Sequence, residues 1–168
     1  LNDDITIKRI FKVNKDSHAR FSALRRTYKY HISTTKDPFN KNSMNYFRKL
    51  DVELMQEACK YLIGEKDFTS FSKLHTQNYT NNCKIDLAKW KRVEGELCFT
   101  IRADRFLRNM VRAIVGTMIN IGEGKIKPGD IKDIILSKNR SSAGFSVQAK
   151  GLFLTNVEYP KSILDEKE

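Results

Sequence analysis

Segments of strand-like alternation, two main amphipathic helices among them and at least one tight hairpin predict an α+β fold, a mostly antiparallel mixed sheet packed against helices. A hydrophobic content of 40% over 168 residues is enough to bury a real core, so a single domain over residues 1–168 is expected. No internal repeat, low-complexity stretch or linker interrupts the chain.

The elements follow in order. Ile5–Val13 begins with alternation and is predicted as a strand. Thr27–Ser33 alternates better, with Tyr28, Tyr30 and Ile32 on one face and Lys29 and His31 on the other. Thr35–Phe47 reads as loop, marked by Pro38 and several asparagines. Asp51–Gly64 reads as a helix, with Asp51 as N-cap, Gly64 as the stop, and Val52, Met55, Ala58, Cys59, Leu62 and Ile63 in one apolar stripe. Glu65–Asn82 is polar with two phenylalanines and reads as a long structured loop. Cys83–Val93 and Glu96–Ala103 form two strands around a Glu94-Gly95 turn. A short helix begins at Pro128, and Gly151–Tyr159 is the last strand.

The most informative helix is expected from Arg105 to about Ile121. Its broad apolar face carries Phe106, Leu107, Met110, Val111, Ile114, Val115 and Met118. Arg105, Arg108 and Arg112 fall at i, i+3 and i+7 along the adjoining edge, with Asp104 as the expected cap. Beside them stand only small or polar residues, Asn109, Ala113, Gly116 and Asn120. That surface would let another backbone or an anion settle closely.

Charge narrows the partner. The net charge of +11, from 31 basic and 20 acidic residues, favours a polyanion, nucleic acid before an anionic membrane surface. No run approaches the roughly 18 apolar residues of a membrane span, and the first residues lack a signal-like apolar block. Arg20, Arg25, Arg26 and Lys29 crowd the second strand and its approach, interleaved with Phe21, Tyr28 and Tyr30, as phosphate contact beside base stacking requires. Lys41, Arg48 and Lys49 form a second, solvated basic loop, and the Lys89–Arg92 stretch reads as the wet face of a strand. Cys59, Cys83 and Cys98 form no C-x-x-C pair, and His18, His31 and His75 do not stand at metal-ligand spacing. A reduced, cytoplasmic, metal-free protein is the simplest account.

Four segments taken together carry a resemblance. His18–Ile32 (HARFSALRRTYKYHI), Gly64–Phe71 (GEKDFTSF), Ala103–Gly124 (ADRFLRNMVRAIVGTMINIGEG) and Lys150–Pro160 (KGLFLTNVEYP) resemble, in this order, the C-terminal part of the tRNA pseudouridine synthase A family. Ser17 stands where the family often has Phe, and Val147-Gln148 replaces a frequent small-Pro pair. The resemblance implies the C-terminal half of the pseudouridine synthase fold and an isomerase acting on uridine in the tRNA anticodon stem-loop. It also implies a homodimer. Such an isomerisation gains and loses nothing, so no cofactor or metal is required.

The family's G-R-T-D-A-G-V-H motif, which carries the catalytic aspartate upstream of H-A-R-F-S, does not occur here. The chain also opens on Leu1 rather than Met. The expectation is a C-terminal domain separated from its N-terminal half, from a parent enzyme but inactive alone. Arg112, in M-V-R, matches the family's arginine that pairs with the catalytic aspartate. Tyr28 matches its substrate-contacting tyrosine, and Leu152 an apolar position lining the pocket. By pattern alone Tyr28 is most simply a core aromatic, Leu152 reads as core as readily as pocket wall, and a surface arginine is the alternative reading of Arg112. Arg20, Arg25, Arg26, Lys29, Arg105 and Arg108 are the expected RNA contacts. Asp67, in D-F-T-S-F, suits a turn or cap better than catalysis. The alternative to an isomerase is a non-enzymatic RNA-binding α/β module, which would call for an R-G-F-x-F-type aromatic strand that the sequence lacks. A basic membrane-surface adaptor is a more distant third, without a strongly basic amphipathic helix.

Overall fold

In a computed structural model of the chain, the described residues are 1–73, 79–93 and 95–163. His75 and Glu94, the first residue of the expected hairpin turn, lie outside them. The strands are β1 (Arg25–Ser33), β2 (Met44–Asn45), β3 (Gly64–Asp67), β4 (Asn82–Val93), β5 (Glu96–Ala103) and β6 (Leu152–Glu158). The helices are α1 (Val52–Cys59), α2 (Met110–Gly122) and α3 (Ile131–Ser137). This is the expected α+β architecture, one six-stranded mixed sheet in the order β2-β1-β5-β4-β3, with β6 also on β1.

Strict alternation makes β5 the centre of the sheet. Leu97, Phe99, Ile101 and Ala103 are buried, and the residues between them are half-buried. Phe99 stands opposite Tyr30 of β1 on one side and Trp90 of β4 on the other, and Trp90 stacks on it at 4.8 Å. This aromatic row shares one core with Met110, Ile114, Val115 and Met118 of α2, so the apolar face of that helix packs as expected. All pairings are antiparallel except β1–β2, where Ile32 meets Met44 in parallel.

Several expectations need correction. Ile5–Val13 is not a strand. Its apolar side chains are exposed, and beyond a single bridge at Val13 it pairs with no strand among the described residues. The loop at Thr35–Phe47 includes β2, and the polar stretch Glu65–Asn82 includes most of β3 and a 3-10 turn at Thr69–Phe71. Phe68 and Phe71, which looked like loop aromatics, are fully buried. Asp51 does cap α1, accepting from the Glu53 and Leu54 N–H groups at 3.0 and 3.1 Å. The helix ends at Cys59, however, and its tail tightens into i→i−3 bonds at Tyr61 and Leu62. Gly64, at φ +100°, turns the chain into β3 rather than stopping the helix.

The largest correction concerns α2, which starts at Met110 and not at Arg105. Asp104 does not cap it. Its carboxylate accepts the Lys84 N–H at 2.8 Å and the Arg105 N–H at 2.7 Å, which folds the segment back onto β4. The helix is entered through Asn109 in the left-handed region at φ +70°, a conformation asparagine tolerates better than most residues. Arg105 and Arg108 are therefore off the helix, and the three-arginine stripe does not exist.

At the other end of α2, the Gly122 carbonyl accepts the Asp51 N–H at 2.8 Å, and Glu123 sits among cations. Lys125 Nζ lies 2.5 Å and Arg48 Nη1 3.2 Å from its carboxylate. Lys125 first, then the Tyr46 hydroxyl and Arg48, outweigh desolvation and hold the carboxyl down at about 2. A depressed carboxyl contributes stability above its unfolded pKa, and that contribution is lost as pH falls through the folded value. Glu123→Gln should therefore be less stable than the parent at neutral pH. The gap should close between about pH 4.5 and about pH 2. Acid-unfolding curves of the two proteins check this, and a gap independent of pH would contradict it.

Candidate active-site clefts

The small-residue face of α2 is covered by the chain itself. Residues 143–148 run across it as a strap, so close that a Cβ on Gly116 would lie 1.8 Å from the Phe145 carbonyl oxygen. A Cβ on Gly144 would meet the Thr117 nitrogen at 2.6 Å from the other side. The Thr117 hydroxyl, itself buried, accepts the Gly144 N–H at 2.8 Å and donates to the Ala113 carbonyl at 2.9 Å. The backbone expected to settle on this surface is thus an intramolecular one.

The strap fixes Arg112. Its Nε donates to the Val147 carbonyl at 2.6 Å, and the Val147 N–H donates back to the Arg112 carbonyl at 3.3 Å. No hydrogen bond or ion pair to its terminal nitrogens forms among the described residues. Arg112 lines a cleft of about 670 Å³ with Arg108, Asn109, Ser146, Leu152, Lys73 and Arg140. Among the described residues four cations and no carboxylate line it, so the site suits an anion. The Lys73 N–H donates to the Arg108 carbonyl at 3.0 Å and ties two parts of the rim together.

Tyr28 lies in a second cleft, of about 560 Å³, with Arg20, Arg26, Arg105, Phe106 and Leu154 among its walls. Its ring meets Phe106 edge-on, with centroids 5.1 Å apart. Tyr28 pairs with Leu154 across β1 and β6, and Tyr30 pairs with Leu152. Alternation therefore puts both clefts on one face of the sheet, one strand repeat apart. The expected single cleft holding Arg112, Tyr28 and Leu152 is two adjoining ones, with Leu152 beside Arg112 and Tyr28 next door. The tyrosine beneath Arg112 is Tyr30. It is fully buried, and its hydroxyl donates to the Gln148 carbonyl at 2.6 Å. Burial pushes its phenol well above the ordinary value, with the Arg112 charge pulling the other way, so it stays protonated.

The other basic candidates divide. Arg26 is spent on backbone, donating to the carbonyls of Ala23, Asp104 and Arg20. Arg25 is on the far face, paired with Asp86 at 3.0 Å and Glu158 at 3.4 Å. Lys29 is exposed on that same far face. Arg20 follows a turn organised by His18, whose Nδ1 accepts the Arg20 and Phe21 N–H groups at 3.0 and 3.3 Å. Asp67 serves a turn. Desolvation would raise its carboxyl, but the Thr69 hydroxyl and N–H and the Lys138 ammonium hold it below the usual range. Burial pushes the Cys59 and Cys83 thiols up to about 12, which makes them packing residues rather than nucleophiles. Among the described residues no group of three or more His, Cys, Asp or Glu is placed to hold a metal ion. No helix there is long and apolar enough to cross a membrane. Lys73, Arg140 and Ser146 are cleft residues that sequence reasoning missed.

The comparisons with known proteins decide the family. A tRNA pseudouridine synthase family model matches residues 58–160. The chain belongs to the tRNA pseudouridine synthase family. It is similar to tRNA pseudouridine synthase A of Bacteroides thetaiotaomicron, 49% identical over 99% of this chain and 64% of that protein. The protein of that name from Parabacteroides distasonis is 50% identical over 97% of this chain and 65% of its own length. The one from Bacillus pumilus is 38% identical over 95% and 66%. The chain thus spans slightly less than two thirds of the length of these curated relatives. The family match includes Arg112, Arg140, Ser146 and Leu152, and the longer matches to relatives extend over Tyr28 as well.

Proposed function

We propose that these residues form the arginine-bearing, substrate side of a tRNA pseudouridine synthase acting on uridine in the anticodon arm. The observation that carries this reading is Arg112, gripped by the strap through Nε while its terminal nitrogens face a cleft that no carboxylate lines among the described residues. The carboxylate it is built to hold is an aspartate outside these 168 residues. In the reaction the N1–C1′ bond of uridine breaks, the base turns, and C5 bonds to C1′. The proton lost from C5 is balanced by one gained at N1, and no cofactor enters. The carboxylate does the covalent work, and Arg112 keeps it ionised and oriented. The target base leaves its stack and packs on Tyr28, while Leu152 walls the adjoining cleft. Arg20, Arg105 and Arg108 remain on the cleft side to meet phosphates, whereas Arg25, Arg26 and Lys29 contribute less because of their pairing or position. The parent protein is read as a cytoplasmic homodimer, on family resemblance.

The test uses an anticodon stem-loop with this chain and with the full-length protein. This chain should bind it weakly and lose affinity with salt, with a log–log slope of roughly −2 to −3 if about three phosphates are contacted. It should form no pseudouridine, while the full-length protein should. Conversion by this chain alone would show that the carboxylate lies within it, with Asp104 and Asp67 next to be tested.

A further inference from the structure

The strap that aims Arg112 is itself held by a second arginine. Arg140 is half-buried at the start of a 3-10 turn after α3. Its Nη1 donates to the Gly144 carbonyl at 3.0 Å and the Ala143 carbonyl at 3.4 Å, and its Nη2 to the Ser146 hydroxyl oxygen at 3.0 Å. The same Ser146 oxygen accepts Asn109 Nδ2 at 2.6 Å, from the left-handed residue that opens α2. One residue further on is the Val147 carbonyl that grips Arg112. A planar guanidinium can span three acceptors within four residues, and a lysine ammonium on its flexible stem cannot hold that geometry.

We propose that Arg140 is a positioning residue for the reaction. By fixing residues 143–146 it sets the Val147 carbonyl, and through it the direction in which Arg112 presents its terminal nitrogens. The inference rests on the reading of Arg112 given above. Arg140 also lines the cleft, yet both of its terminal nitrogens already donate to oxygens of the chain. It therefore acts through Arg112 and not by holding RNA.

The experiment is steady-state kinetics of the full-length enzyme on an anticodon stem-loop, for Arg140→Ala, Arg140→Lys and Ser146→Ala, alone and combined with Arg112→Lys. Arg140→Ala should lower kcat about 100-fold, as misplacement of a reacting group by about 1 Å does. KM and the salt dependence of binding should stay within about threefold of the parent if no phosphate contact is lost. Arg140→Lys should not rescue. In the Arg112→Lys background, Arg140→Ala should cost less than about threefold more, because the two act as a unit. A raised KM with a shallower salt slope would make Arg140 a phosphate contact and overturn the proposal, as would a full additional loss in the double variant. Should Arg140→Ala fail to fold, Ser146→Ala carries the same test with about a tenfold loss of kcat expected. Unchanged turnover in Arg112→Lys would overturn the reading of Arg112 and this proposal together. A strong Arg112 effect beside a silent Arg140 would overturn this proposal alone.

Discussion

Gly116→Ala should lower the melting temperature by about 6–20 °C, the largest stability effect of a single methyl in this domain. The added carbon would sit 1.8 Å from the Phe145 carbonyl oxygen and 2.9 Å from its carbon. Both are backbone atoms, so no side-chain rotation relieves the clash, and either the strap or α2 must move. Moving the strap breaks the Gly144–Thr117 and Val147–Arg112 hydrogen bonds. The combined cost is about 3–5 kcal/mol, at about 2–4 °C per kcal/mol for a chain of this size. Gly129→Ala is the control. Its Cβ would meet only the Tyr61 hydroxyl, at 4.0 Å, in an ordinary backbone conformation, so its melt should lie near that of the parent. A Gly116→Ala protein melting within a few degrees of the parent would show that the strap is not pressed onto the helix.

The same contacts explain which parts of the molecule were legible in the sequence. The strands β1, β4, β5 and β6 are half-wet or two-sided, and their period-2 pattern is local, so Thr27–Ser33 and Glu96–Ala103 read correctly. Ile5–Val13 shows that alternation alone does not make a strand; it needs an edge to pair with. The start of α2 was misplaced because the residue that ends the preceding segment, Asp104, bonds to Lys84 twenty positions earlier. No periodicity within residues 105–121 reports that bond. Phe68 and Phe71 were hidden by polar neighbours whose own role is to turn the chain, as Asp67 does through Thr69. In the candidate site, Arg112, Tyr28 and Leu152 came from resemblance to a family. Their division between two clefts follows from the pairing of β1 with β6, which their spacing does not encode. Arg140 and Ser146 lie 28 and 34 residues from Arg112 and share no pattern with it, so only the folded strap brings them together.

Arg112→Lys in the full-length enzyme should lower kcat by about 100- to 1000-fold while changing KM for an anticodon stem-loop by less than about threefold. In the proposed reading the arginine has two tasks at once. Its Nε–H satisfies the Val147 carbonyl of a strap residue that is 1% exposed, and its terminal nitrogens remain for a carboxylate. A lysine has a single nitrogen and can do only one of these. If it turns to Val147, the carboxylate loses its partner; if it turns to the cleft, a buried carbonyl is left unpaired at a cost of about 1–3 kcal/mol. Melting curves separate the two cases, since only the second destabilises the fold. Either way the two-point hold on the carboxylate is gone, and the loss appears in turnover because that hold serves the reacting group rather than the RNA backbone. Arg108 on the cleft rim provides the contrast. It is exposed, and Arg108→Ala should raise KM and reduce the magnitude of the salt slope by about 0.7–0.9, with kcat nearly unchanged. Wild-type turnover in Arg112→Lys, or a loss confined to KM, would mean that Arg112 is another phosphate contact and that the carboxylate is oriented elsewhere.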